Sequence, residues 1–209
     1  VELGQGGVFS VEQMLAAIKP RSMPVFPPTT LLEVENTHNR AGGIVFPQHE
    51  VVRLCEAARS RGLATFLDGA RLWNASVASG LAVATLAEPF DLVAVAFSKG
   101  LGAPAGSLLA GSRALIDAAA RHRRMLGGAM RQTGILAAAA LHGLDHHLGR
   151  LREDHANARV LAERLVLSPK IRLDLSTVQT NIVVFHLQPD APDAAALVQR
   201  ARERGVLLN

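Results

Sequence analysis

A chain of 209 residues, 49% hydrophobic and 19% charged, is long enough to bury a substantial core and has the composition of a folded domain rather than a disordered one. The formal charge is only +4, no apolar run of roughly 18 residues offers a membrane span, and the single Cys55 excludes an internal disulfide and argues against a zinc–cysteine site. Expected from these features are a reducing, cytoplasmic compartment and a chain that engages neither membrane nor nucleic acid. The basic run Arg121-His-Arg-Arg124 could face a nucleic acid, but no interleaved aromatics accompany it, so a solvated helix face is the expectation. The chain opens Val1-Glu-Leu-Gly-Gln-Gly-Gly7 with neither an initiator Met nor a charged and apolar leader, as expected of a fragment.

Ser10 followed by Gln13 predicts a capped helix through Lys19, which Pro20 ends. Thr30 to Asn36 reads as a strand, with a glycine-bearing loop at Gly42-Gly43. Pro47 opens a helix running to about Arg61, and Gly62 closes it. Leu63 to Leu67 is the next strand, carrying Asp68-Gly69 at its carboxyl end; helices near Leu72 and Leu86 then lead to a strand over Asp91 to Phe97. Ser107 to Ala110 is a further short strand. Such alternation predicts an α/β fold with a mainly parallel sheet and helices on both faces.

From about Ser112 the texture becomes Ala- and Leu-rich. Thr133 to about Leu167 reads as one long helix, bent near His146 and Gly149 and ended by Ser168-Pro169; a strand follows at Ile182 to His186, a helix at Ala194 to Arg204 and the start of a strand at Val206 to Asn209. Residues 1–135 are therefore expected to form part of a large α/β domain, and 136–209 a connecting helix and part of a small α+β domain. His142, His146 and His147 have helical spacing that could suit a metal, but no carboxylate or cysteine set completes a site. A polar helix surface, and no metal, is expected.

In an open α/β sheet, ligands meet the rim formed by the carboxyl ends of the strands. Asn36-Thr-His38, Asp68 and Lys99 each follow a strand and would converge there. Only Lys19, Lys99 and Lys170 are lysines, and Lys99 ends an apolar strand, where desolvation favours the neutral amine that attacks a carbonyl to form a Schiff base. A lysine with a carboxylate some 30 residues upstream suggests pyridoxal 5'-phosphate, whose aldehyde takes the lysine and whose pyridine nitrogen takes the acid. Asp68 is that acid; alone, it could equally cap the turn that follows it. Arg71 reaches the same rim and suits a substrate carboxylate or the cofactor's phenolate oxygen, a surface salt bridge being the alternative. Ser98 and the Gly100 to Gly102 turn offer donors to a phosphate. His38 could approach the cofactor or be a structurally satisfied histidine beside Asn36 and Asn39. Trp73 and Phe66 read as core.

Four segments together carry a specific resemblance: Glu35-Asn-Thr-His-Asn39, Leu67-Asp-Gly-Ala-Arg-Leu-Trp-Asn-Ala75, Ser98-Lys-Gly-Leu-Gly-Ala-Pro104 and Met125-Leu-Gly-Gly-Ala-Met-Arg-Gln132. In order and spacing the chain resembles the low-specificity L-threonine aldolases, within the β-eliminating lyases of aminotransferase-like fold (fold type I). The resemblance implies that Lys99 forms the Schiff base with pyridoxal 5'-phosphate and that Asp68 faces its ring nitrogen. It further implies that Arg71 contacts cofactor and substrate carboxylate, and that Arg131 serves the phosphate across a subunit boundary in a homotetramer built as a dimer of dimers. The implied reaction cleaves a β-hydroxy-α-amino acid such as L-threonine or L-allo-threonine to glycine and an aldehyde. The chain departs from the family at Val25, where many members carry a histidine at the substrate hydroxyl, at Arg124, where lysine is usual, and at Ala129, which replaces a glycine. Family members also place cofactor and substrate groups before the position of Val1 and beyond that of Asn209.

Two other readings remain at this point. A related lyase that expels an aromatic side chain by β-elimination needs a general acid, commonly a tyrosine, and the chain has no Tyr. An inactive protein of the same fold, acting as a binding or oligomer-forming module, would not need Lys99 and Asp68.

Overall fold

The structure, a computed structural model, describes the chain except for residues Val1, Glu2, Gln5, Arg21, Met23, Pro24, Phe26 and Asn209. Helix α1 (Val11–Ala17) starts in a complete capping box between Ser10 and Gln13. It stops short of the expected Lys19 because Ile18 is already extended. Strand β1 (Leu31–Glu35) leads through the Gly42-Gly43 loop to α2 (Gln48–Ser60), with Pro47 as its N-cap. The end of α2 is a glycine-dependent double bond: Gly62, at φ 69°, donates to Arg59 O and Leu63 donates to Ala58 O.

Strand β2 (Ala64–Gly69), α3 (Leu72–Ser79), α4 (Val83–Ala87), β3 (Leu92–Ala96) and β4 (Ser107–Gly111) follow. The sheet order is β1-β2-β3-β4, the first two pairings parallel and the last antiparallel. Alternation sets one face inward: Leu32, Val34, Leu67, Val93 and Val95 join Val51, Leu54, Cys55 and Ala58 of α2 in one core. Burial pushes the Cys55 thiol up to about 11, which leaves it an inert core group. The other face is half open at Phe66, Asp68, Ala94 and Ala96.

After β4, whose residues are all exposed, come α5 (Arg113–Met125), α6 (Gly134–His146) and α7 (Leu151–Leu165). The single long helix expected over Thr133 to Leu167 is thus two helices separated by a 3-10 turn at Leu148–Arg150. The break falls where Leu151 turns inward, 1% exposed, against the main core. A two-stranded antiparallel ladder, β5 (Ile171–Arg172) with β6 (His186–Leu187), and α8 (Ala194–Glu203) complete the fold.

The strand expected at Ile182 to His186 is corrected to β6 alone. The apolar run lies against a loop instead: Thr180 and Ile182 line up against Gly43, and Val184 against Gly42. The Thr180 hydroxyl, 1% exposed, donates to Gly43 O at 2.7 Å, and Gln179 Oε1 accepts from Val45 N–H at 2.9 Å. The strand expected from Val206 is likewise absent through Leu208, and Asn209 lies outside the described residues. Among the described residues no helix is long and apolar enough to cross a membrane, and no group of three or more metal-ligating side chains occurs.

Leu54 is fully buried under the sheet. Leu54→Ala is expected to lower unfolding free energy by about 2–5 kcal/mol, read as a lower urea midpoint at unchanged slope.

Candidate active site

Register does the first positioning step. Glu35 pairs with Asp68 across β1 and β2, and Asp68 with Ala94 across β2 and β3. Asp68 therefore sits in the last full row of the parallel sheet, on the open face, and Lys99 lies five residues past its neighbour Ala94 on the same rim. One Asp68 oxygen, Oδ1, accepts from Ala70 N–H at 3.0 Å. The turn-capping alternative is thus true of that oxygen, while Oδ2 takes no hydrogen bond from the described residues and remains available to a ligand.

Helix α3 then folds back against the lysine loop. Trp73, half-buried, donates its indole N–H to Ala96 O at 2.8 Å and stacks on Phe97, ring centroids 5.8 Å apart. Asn74 is 2% exposed, and its amide oxygen lies 3.7 Å from where a Cβ on Gly100 would stand. The same hypothetical Cβ would meet Leu151 Cδ2 at 2.7 Å, so a larger residue between the lysine and α7 would have to push the Leu151 side chain aside.

Asp68, Arg71, Ser98 and Lys99 are thereby gathered on one rim. The burial expected around Lys99 is corrected: Phe97 is 8% exposed, but Ser98, Lys99 and Gly100 are exposed. The apolar alternation of β3 ends at Phe97, and the chain leaves the sheet toward solvent. Arg71 is the half-buried N-cap residue of α3, and the surface salt bridge considered for it does not form among the described residues. Arg131 stands exposed between α5 and α6, away from that rim's hydrogen bonds. His38 is engaged locally: Nδ1 accepts from Ala41 N–H at 3.2 Å, Nε2 lies 3.7 Å from Glu35 Oε2, and its backbone bridges to Ile44. Nδ1 is thus engaged by the loop, as the structural alternative has it.

A cleft of about 660 Å³ runs beside β1 and is lined by Phe9, Met14, Leu31, Glu33, Glu35 and His38 among others; Asp68, Arg71 and Lys99 do not line it. Val25 is exposed. Just past the end of β1, Asn36 Oδ1 accepts from Phe46 N–H at 3.2 Å, whereas the buried Thr37 hydroxyl has no partner among the described residues. A carboxylate oxygen that takes no hydrogen bond from the described residues and an exposed amine on one rim fit a ligand with an aldehyde and a basic ring nitrogen. On that test the residues present suit pyridoxal 5'-phosphate.

Sequence reasoning missed two residues that shape this rim. His147 was expected on a polar helix surface, yet its Nδ1 lies 2.8 Å from Leu101 O, two residues past Lys99. His155 Nε2 lies 3.1 Å from Asn74 Nδ2 and accepts from it. Both link residues far apart in sequence, and no local pattern announces them.

The fold and rim define an α/β protein of the aminotransferase-like architecture: a Thermus thermophilus aspartate aminotransferase double mutant superposes with a TM-score of 0.67 at 20% identity, over 97% of this chain and 52% of that one. The lmo0305 structure from Listeria monocytogenes EGD-E gives 0.80 at 23% identity, over 100% and 56%. The chain belongs to the Beta-eliminating lyase family, whose profile matches residues 1–188. It is 39% identical over 206 residues to low-specificity L-threonine aldolase 1 of Arabidopsis thaliana, covering 98% of this chain and 58% of that protein. With the low specificity L-threonine aldolase of Escherichia coli K12 it shares 39% over 209 residues, 100% of this chain and 60% of that protein. The chain thus spans about three fifths of the length of these relatives.

Burial holds the His155 pKa below the ordinary histidine value, with neighbouring Asp154 opposing. The unfolded chain therefore takes up this proton first as pH falls, and stability declines from about pH 6.5 down to the lowered folded value. His155→Gln, which keeps an acceptor but does not titrate, is expected to show a shallower fall in melting temperature between about pH 7 and pH 5.

Proposed function

We propose that this chain carries the lysine- and aspartate-bearing part of a pyridoxal 5'-phosphate-dependent lyase that splits a β-hydroxy-α-amino acid into glycine and an aldehyde. The single observation that carries the reading is the placement of the Asp68 carboxylate and the Lys99 loop at the carboxyl ends of adjacent parallel strands. Family membership and the names of the two aldolase relatives support it.

Bound there, the cofactor supplies an electron sink for the pair released when the Cα–Cβ bond breaks. Lys99 offers the amine for its aldehyde, and Asp68 Oδ2 offers the negative charge that keeps a proton on its ring nitrogen. Arg71 offers a guanidinium to the substrate carboxylate, and the Ser98 hydroxyl a donor to phosphate. For L-threonine or L-allo-threonine the balance is simple. The β-hydroxyl loses its proton as the bond breaks, Cα gains one, and glycine and acetaldehyde leave. Val25, an apolar side chain, cannot take that hydroxyl proton, so the base comes from elsewhere in the assembled site.

The same reading assigns Arg131 to the phosphate of a partner subunit in a homo-oligomer, a dimer of dimers, in the cytoplasm. Exposed apolar side chains around it, Met125, Leu126, Met130 and Ile135, support a covered surface here. His38 supports the rim through its loop rather than by direct contact.

The test uses the complete protein with L-threonine, L-allo-threonine and phenylserine, assaying glycine; no glycine from any of them overturns the reading. Lys99→Ala is expected to abolish the borohydride-stable lysine–cofactor adduct. Asp68→Asn is expected to keep cofactor but lose about 100-fold or more in turnover; near-normal turnover would remove Asp68 from its role.

A further inference from the structure

The loop that carries Lys99 is pinned on both sides by side chains from helices that follow it or face it. On its amino side the Trp73 indole N–H holds Ala96 O. On its carboxyl side His147, the C-cap residue of α6, holds Leu101 O at 2.8 Å. A carbonyl oxygen only accepts, so the proton is on Nδ1, and the ring donates whether it is neutral or charged.

Leu101 is 1% exposed, and its carbonyl faces α6 so closely that a Cβ on Gly143 would meet it at 2.7 Å. With α6 that near, few groups can satisfy this oxygen, and His147 is the one that does. Between the two pins the chain closes a tight turn: Gly102 N–H donates to Lys99 O at 2.8 Å and Ala103 N–H to Phe97 O at 3.1 Å. The direction in which Lys99 leaves the backbone is set by that turn, and the turn is anchored at Leu101. Being exposed, Lys99 has no packed pocket of its own to orient it.

We propose that His147 is a positioning residue for Lys99: its Nδ1–H fixes the Leu101 carbonyl and thereby the turn that presents the lysine amine to the cofactor. This rests on the function proposed above, and it separates His147 from His142 and His146, both exposed on the same helix.

Wild type, His147→Ala and His147→Asn are compared in the complete protein by two measurements. Asparagine places an amide N–H close to where Nδ1–H stands and so acts as the conservative variant. Amide hydrogen exchange, measured without cofactor, is expected to quicken about tenfold or more at Gly102 and Ala103 in His147→Ala, while the β3 amides stay protected. With pyridoxal 5'-phosphate below saturation, borohydride reduces the C=N bond to a secondary amine, and the yield on the Lys99 peptide is expected to fall about threefold or more. His147→Asn restores both values; the Lys19 and Lys170 peptides report non-specific labelling. Should His147→Ala lose the β3 protection, His147→Gln, whose amide sits nearer the Nε2 place, takes its part with the same expectations. Unchanged exchange at Gly102 and Ala103 overturns the pin. Faster exchange with unchanged adduct yield overturns the positioning role, leaving a staple of the fold. Absence of a Lys99 adduct in wild type overturns the cofactor reading itself, which the cofactor-free exchange distinguishes from failure of the pin.

Discussion

In-register parallel pairing of β1, β2 and β3 is the constraint on which the rim depends. Because side chains alternate with period two, the pairing that buries Val34, Leu67 and Val93 in one row also sends Glu35, Asp68 and Ala94 to the opposite face in the next. A slip of one residue would put Asp68 in the core and Leu67 in solvent, so the hydrophobic core itself excludes the wrong placement of the acid. A polar lock reinforces the register where β3 begins. Asp91 Oδ2 accepts from Thr65 N–H at 2.7 Å and from the Thr65 hydroxyl at 2.9 Å, and the Asp91 N–H returns to Thr65 O at 3.1 Å. Thr65 is 1% exposed, so its end of these bonds is shielded from water.

The second half of the chain does more than follow the sheet. Leu151 of α7 closes over Gly100, Asn74 and His155 join α3 to α7, and Gly143 lets α6 touch Leu101. At the other end of the rim, Gln179 and Thr180 seat the loop between Asn36 and Phe46. Two loops that leave β1 and β3, on either side of the strand that carries Asp68, are therefore held by residues 46 to 137 positions later. Contacts of that separation form only after long loop closures, so the rim is expected to order late in folding, after the β1-β2-β3 core.

What was legible in the sequence was local. The Ser10–Gln13 box, the Gly62 stop and the strands that carry Asp68 and lead to Lys99 all depend on neighbours within a few residues, and the structure shows each of them, with Asp68 inside β2 rather than just past its end and β3 stopping at Ala96. The four motifs gave the family because they preserve local shapes in a fixed order. What failed was set at a distance. The 182–186 segment is extended as its pattern implies, yet it lies on Gly42-Gly43 instead of a strand. The helix over 133–167 is broken by the demand that Leu151 reach the core, a demand that Ala-rich periodicity does not encode. His147 looked like one of three similar histidines, and only the fold gives one of them a carbonyl to bind.

Lys99 illustrates the same division in its chemistry. An amine at an apolar strand end suggests activation by desolvation, but the strand's buried alternation stops at Phe97 and the amine stands in the open. Within the described chain, then, exclusion of water is not what distinguishes it from the other lysines. Lys170, for comparison, is committed to an ion pair with Asp190 and lies beside the small β5-β6 ladder. Lys99 differs by geometry: its turn is closed by two backbone bonds, pinned at Ala96 and Leu101, and set on the same rim as an acid whose second oxygen takes no hydrogen bond from the described residues. Holding reacting groups in place can lower a barrier by several kcal/mol without any change in acidity. On this rim, position is the property that the sheet register and the helix pins jointly produce.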